Sequence, residues 1–155
     1  MYKNIIEKLK IKNSKLGYAK LNDGSIVILR VAVVDVRPHD GSSPFGVDFE
    51  VNATTGVSAY PSKEAMKKVK DKPIIEPGTP LREGWERLDI VEKKSAYEEV
   101  EFTDETLGTY LIRVEVEPIM VSVNTTVRTV KNEPVYTVKW VPKVTWKRST
   151  SKEKE

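Results

Sequence analysis

The apolar positions of this chain recur mostly with a period of two. Val47, Phe49, Val51 and Ala53 alternate with Asp48, Glu50 and Asn52, and Tyr110, Ile112, Val114 and Val116 alternate with Arg113, Glu115 and Glu117. Strand side chains point to opposite faces in turn, so this alternation predicts strands with one buried and one wet face. The run Ile26 to Val36 is nearly all apolar or β-branched, broken only by Arg30 and Asp35. Such a run suits a central strand covered on both sides. It follows GYAKL across Asn22-Asp23-Gly24, a turn signal because Gly tolerates the positive φ that tight hairpins demand. Trp85 to Glu92, with Leu88 and Ile90, and YEEVEF at 97–102 add two further short strands.

After Pro118 the apolar set moves to Ile119, Val121, Val123 and Val127, from even numbers to odd. A one-residue slip at a proline predicts a bulge or bend there. Thr54-Thr55-Gly56 reads as a turn or bulge within a strand. Thr103 to Gly108 and Asn132-Glu133-Pro134 read as turns between strands.

Helical spacing occurs twice. Tyr2, Ile5, Ile6 and Leu9 share one face of a short N-terminal helix, with Lys3, Glu7 and Lys10 opposite. Ser62 is placed to cap a second helix, near 62–71, in which Ala65, Met66 and Val69 share a face and after which Pro73 stops the pattern. Two stretches look irregular. Residues 37–46, RPHDGSSPFG, and residues 73–84, PIIEPGTPLREG, are dense in Pro and Gly. The second is a candidate internal linker or long surface loop. The last residues, 149–155, have the composition of a disordered tail.

Many short strands divided by turn signals predict a mainly β, β-rich α+β chain. The expected architecture is a single antiparallel barrel or sandwich of about seven or eight strands with two short helices, forming one domain over 1–148.

Composition narrows the chemistry. The chain has no Cys and a single His, His39. That excludes disulfide frameworks, thiolate zinc sites and cysteine nucleophiles, and leaves no basis for a His-rich metal centre. No P-loop, G-x-G-x-x-G or H-E-x-x-H is present. No metal and no cofactor is therefore expected. The absence of Gln, beside abundant Lys and Glu, is the bias expected of a protein from a hot environment. No apolar run approaches the roughly 18 residues of a membrane helix. The N-terminus lacks the apolar core and cleavage site of a signal peptide, so a cytoplasmic location is expected. Two N-x-T sequons, at Asn52 and Asn124, are then chance matches.

Charge changes the picture most. The formal net charge is +3, but residues 1–20 carry +5, residues 128–155 carry +5, and the middle carries −7. Basic ends favour contact with polyanions, because each neutralised phosphate releases counterions. They also keep a charged protein soluble, and that plainer explanation stays open.

The last strand carries the sharpest pattern. Tyr136, Val138, Trp140, Pro142, Val144 and Trp146 occupy one face, and Thr137, Lys139, Val141, Lys143, Thr145 and Lys147 the other. Lys at every fourth position gives a charge spacing of roughly 13 Å along extended backbone. With Arg148, and with Lys10, Lys12 and Lys15 of the N-terminal segment, this row is the candidate nucleic-acid surface. The alternative is an edge strand whose lysines prevent edge-to-edge pairing while its tryptophans pack in the core.

Two other clusters bring polar groups together. Arg37, His39 and Asp40, with Ser42 and Ser43, form a candidate polar site in the 37–46 loop, where His39 would act as a base beside a Ser. Glu98, Glu99, Glu101, Asp104 and Glu105 cluster in sequence, but their spacing fits no Ca²⁺ loop and alternation scatters them over two faces. The residues therefore point to a non-enzymatic binding module for RNA, DNA or a nucleoprotein assembly. The alternatives are a protein–protein adaptor or self-assembling subunit and, less favoured, a small hydrolase built on the 37–46 loop.

Overall fold

The computed structural model describes residues 2–78 and 80–149, with only the backbone described at 2–4 and 40–42. Two antiparallel sheets face each other as a sandwich, without closing into a barrel. One sheet has the order β4-β3-β2-β6, built from β2 (Gly17–Leu21), β3 (Ile26–Ser43), β4 (Gly46–Tyr60) and β6 (Ile90–Lys94). The other holds β1 (Leu9–Lys15), β5 (Trp85–Leu88), β7 (Ala96–Asp104), β8 (Gly108–Asn124) and β9 (Val135–Arg148). Its centre is β8. Strand β7 and then β5 pair along one side of β8, and β9 runs along the whole of the other side.

The helices are short: α1 covers Tyr2–Glu7 and α2 covers Lys63–Lys68. Ser62 caps α2 as its position suggested, its hydroxyl accepting the Ala65 N–H at 3.1 Å. Ala65 and Val69 are buried. Among the described residues, no helix is long and apolar enough to cross a membrane.

Alternation decides which side chains enter the core. Val27, Leu29 and Val31 of β3 and Ala19 and Leu21 of β2 meet Ala96 of β7 and Val114, Val116 and Val121 of β8. A second cluster joins Val36 and Phe49 to Val100, Phe102 and Ile112. Both clusters draw residues from before position 73 and after position 84. The slip at Pro118 is where it was expected: the β8–β9 register shifts between Pro118 and Met120, and the buried positions change from Val114 and Val116 to Val121 and Val123.

Several local expectations fail. Helix α1 ends at Glu7, so Leu9 and Lys10 belong to β1, and the stretch Trp85 to Glu92 divides between β5 and β6, in different sheets. Residues 37–46 are not a loop. Strand β3 continues through Ser43, paired with β4 from Gly46, so only Pro44 and Phe45 form the turn. Pro38 is tolerated because β3 pairs with β2 only through Leu29, leaving one edge unpaired beyond it, and a proline costs no ladder bond on such an edge. Nor does Thr54-Thr55-Gly56 turn; Gly56 lies opposite Arg30 in uninterrupted register. The bulge is instead in β3, where the register shifts between Val33 and Asp35. There the buried Glu98 Oε1 accepts the Val33 N–H at 2.8 Å. The expected tail lies outside the described residues apart from Ser149.

Candidate functional site

The charge partition seen along the chain becomes a partition across one sheet. Both basic ends are edge strands of the larger sheet: β1 brings Lys10, Lys12 and Lys15, and β9 brings Lys139, Lys143 and Lys147. The acidic strands β7 and β8 lie between them. At about 4.8 Å per strand, the two lysine rows stand roughly 14 Å apart.

All three lysines of β9 are exposed on the face away from the core, but they differ in partners. Lys143 Nζ meets Glu117 Oε1 at 3.0 Å, and Lys93 meets the other oxygen of Glu117, also at 3.0 Å. The Lys143 hydrogen bond, then that of Lys93, holds the Glu117 carboxyl below its ordinary range, and Glu117 in turn raises Lys143. Arg113 on β8 is taken up by Glu99 at 3.2 Å and Glu115 at 3.3 Å, with its guanidinium 3.7 Å from the Tyr97 ring centroid. Lys139 and Lys147 make no ion pair among the described residues, nor do Lys10, Lys12 and Lys15. A polyanion laid across this face would cross a carboxylate-rich centre.

The opposite face of β9 turns its tryptophans inward. Trp140 packs on the first core cluster and Trp146 on the second, both half-buried. Trp146 closes an aromatic group around Phe49, whose ring meets Trp146 at 5.5 Å, Tyr110 at 5.1 Å and Phe102 at 5.4 Å, all edge to face.

This group continues outward into a cleft of about 550 Å³ lined by Phe45, Tyr110, Val144, Thr145, Trp146, Lys147 and Arg148. Each part has a local cause. Phe45 sits in the turn that ends the β3–β4 hairpin, where its N–H donates to Ser43 Oγ at 3.1 Å. It is 81% exposed. Arg148 ends β9. Its guanidinium lies 5.5 Å from the Tyr110 centroid and donates to the Tyr110 hydroxyl at 3.2 Å. It lies close over Gly108, whose φ of +94° favours glycine; a Cβ there would stand 2.9 Å from an Arg148 nitrogen and make the guanidinium shift. Among the described residues no carboxylate lines this cleft, whereas the groove beside Phe102 carries Glu7, Asp104 and Glu105, and the one beside β6 carries Asp89 and Glu92.

The polar site expected at 37–46 is an exposed length of ladder. Arg37 Nε donates to Asp35 Oδ2 at 2.9 Å, and His39 stands opposite Asp48 in the strand register. His39 has no hydrogen-bond partner among the described residues, and Ser43 Oγ is engaged by Phe45. The side chains of Asp40 and Ser42 lie outside the described set. Of the acidic cluster, Glu98 faces the core while Glu99 and Glu101 face outward. Asp104 caps its own turn by accepting the N–H groups of Thr106 and Leu107. Among the described residues, no group of three His, Asp or Glu is placed to hold a metal ion.

Sequence reasoning found Lys147 and Arg148 but missed Phe45 and Tyr110. The signal for Phe45 was present, since an aromatic beside Gly in a Pro- and Ser-rich stretch has little local reason to be there. It acquires a neighbour only because the hairpin folds over the end of β9. Comparison with family models, with curated proteins and with solved structures gives no match to this chain.

Proposed function

We propose that this protein is a binding module for single-stranded nucleic acid, engaged at the cleft between the β3–β4 hairpin tip and the end of β9. The observation that supports this reading is the company of Phe45. An 81% exposed aromatic ring belongs to a cleft whose charged lining, among the described residues, is Lys147 and Arg148 with no acid. An exposed ring gives an unpaired base a stacking platform, and every base has a face to offer it. The two cations sit where the backbone of such a strand needs neutralising. Lys139 extends the same edge. Lys143, tied to Glu117, contributes less than its position in the row suggests.

The test is binding of a fluorescent oligothymidylate, followed by anisotropy over a range of salt concentrations. Phe45→Ala removes one stacking platform, worth roughly 1–3 kcal/mol, and is expected to weaken binding about 5- to 150-fold. Lys147→Glu with Arg148→Glu is expected to flatten the salt dependence as well, by about 0.7 for each phosphate left without its cation. Lys143→Gln is expected to change affinity little. Wild-type protein that fails to bind, or binding that ignores Phe45, defeats the proposal.

A further inference from the structure

A second opening lies at the other edge of the larger sheet. Among the described residues, strand β1 pairs only with β7. Strand β3, beyond Leu29, pairs among the described residues only with β4. Between these two free edges runs a groove of about 500 Å³, lined chiefly by Ile5, Ile6, Leu9, Ile11, Val33 and Val34. Four of these aliphatic side chains are more than half exposed: Ile5 at 56%, Ile6 at 76%, Ile11 at 65% and Val34 at 58%. Contiguous apolar exposure of this kind marks an interaction surface.

The polar groups around the groove indicate what covers it. On the β3 wall, the Val33 N–H is already held by Glu98, and the Val36 N–H by Asp35 Oδ1 at 2.9 Å. That wall offers mainly apolar contact. Lys8 and Asp35, 2.7 Å apart, neutralise each other. On β1, Lys10 and Lys12 flank Ile11, exposed and without ion pairs among the described residues. The register shift between Ile11 and Asn13 leaves Lys12 outside the ladder. The exposed Glu7 of α1 is the one acid beside them on the N-terminal segment. A second copy meeting this edge would set lysine against lysine, which like charges on facing strands penalise. A segment of opposite charge meets no such penalty, and the same lysines then select it.

We infer that this groove docks an extended acidic segment of another protein. Its aliphatic side chains seat between Ile11 and Val34, and its carboxylates meet Lys10 and Lys12. The mode is strand addition to an edge, with specificity set by alternate side chains.

The test uses the full chain and a labelled, end-blocked octapeptide alternating Glu and Val. Saturable binding is expected, weakened at least tenfold by Ile11→Asp and by the pair Lys10→Glu and Lys12→Glu, with thermal melts confirming that each variant folds. Val34→Asp, on the facing wall, is expected to act in the same direction. A peptide alternating Lys and Val is expected not to bind, and Phe45→Ala is expected to leave peptide binding unchanged, which separates this site from the oligonucleotide cleft. The inference is overturned if the Glu-Val peptide fails to bind or the Lys-Val peptide binds equally. It is also overturned if oligothymidylate displaces the peptide, or if sedimentation shows self-association that Ile11→Asp abolishes.

Discussion

Ser25 joins three elements with one hydroxyl. Its side chain is buried, with Oγ 2.9 Å from the Tyr136 hydroxyl and accepting the Ser62 N–H, also at 2.9 Å. It thereby ties the β2–β3 turn to the start of β9 and to the residue that caps α2. Its own N–H donates to Asp23 Oδ1 at 2.8 Å. Burial raises the Tyr136 hydroxyl above its ordinary pKa, although the hydrogen bond to Ser25 pulls the other way. A buried group stripped of its partner loses about 1–3 kcal/mol. Ser25→Ala strips two and is expected to lower stability by about 2–4 kcal/mol in urea denaturation, with an unchanged slope. Tyr136→Phe removes one partner and is expected to cost about half as much. A Ser25→Ala effect below that of Tyr136→Phe would mean that the Ser62 hydrogen bond contributes nothing. From the sequence, Ser25 is the residue after an Asn-Asp-Gly turn and nothing more, because the groups it joins are 37 and 111 residues away.

At the level of elements, period-two alternation was a good guide wherever both faces of a strand had distinct surroundings. The β8 pattern and its slip at Pro118 were legible because one face of β8 packs on the core along its whole length. The β3–β4 hairpin was not. Its outer half, from Arg37 to Phe45, reads as loop because Pro, Gly and Ser are poor strand formers. It is a ladder all the same, since each strand has the other as partner. The cleft was half legible for a related reason. Lys147 and Arg148 announce themselves by alternation along one strand, while Phe45 joins them only through packing between sheets. Strand β9 carries a prediction of its own. Among the described residues it pairs with β8 alone, leaving its outer edge without a strand partner there, and it carries two features that protect open edges: lysines and Pro142. Replacing Lys139 and Lys147 with Val, while leaving the Lys143–Glu117 pair intact, is expected to give concentration-dependent aggregation with amyloid-dye binding, at little cost to the melting temperature of the monomer. A double variant that stays monomeric at high concentration would assign the protection to Pro142 and the twist of the sheet instead.

Over the whole molecule, folding turns a charge division along the chain into basic rims around an acidic centre, and part of that centre is consumed in internal ion pairs. The pairs make stability depend on pH in a definite direction. Glu117 is held below its ordinary pKa by Lys143 and then Lys93. Asp35 is held below its own by Lys8 and then Arg37, against the opposing pull of partial burial. Glu92 is lowered chiefly by the Tyr18 hydroxyl, with Lys20 adding to it. A carboxylate lowered in the folded state binds fewer protons there than in the unfolded chain, so its contribution is complete above the unfolded value of about 4 and is lost as pH falls through the folded value. The urea midpoint is therefore expected to be flat from neutral pH down to about 5 and to fall below about 4. Asp35 is a better probe than Glu92, because its side chain is 25% exposed against 52% and water screens the more open carboxylate. Asp35→Asn keeps an oxygen for the Val36 N–H but loses both cations. It is expected to cost about 1.5 kcal/mol at pH 7, the low end for a charge-assisted hydrogen bond. The same variant is expected to show a shallower acid limb, so that its curve and the wild-type curve converge near pH 2. Parallel curves across the acid range would show that Asp35 contributes nothing to the limb, and would move its origin to the carboxylates of the exposed sheet face.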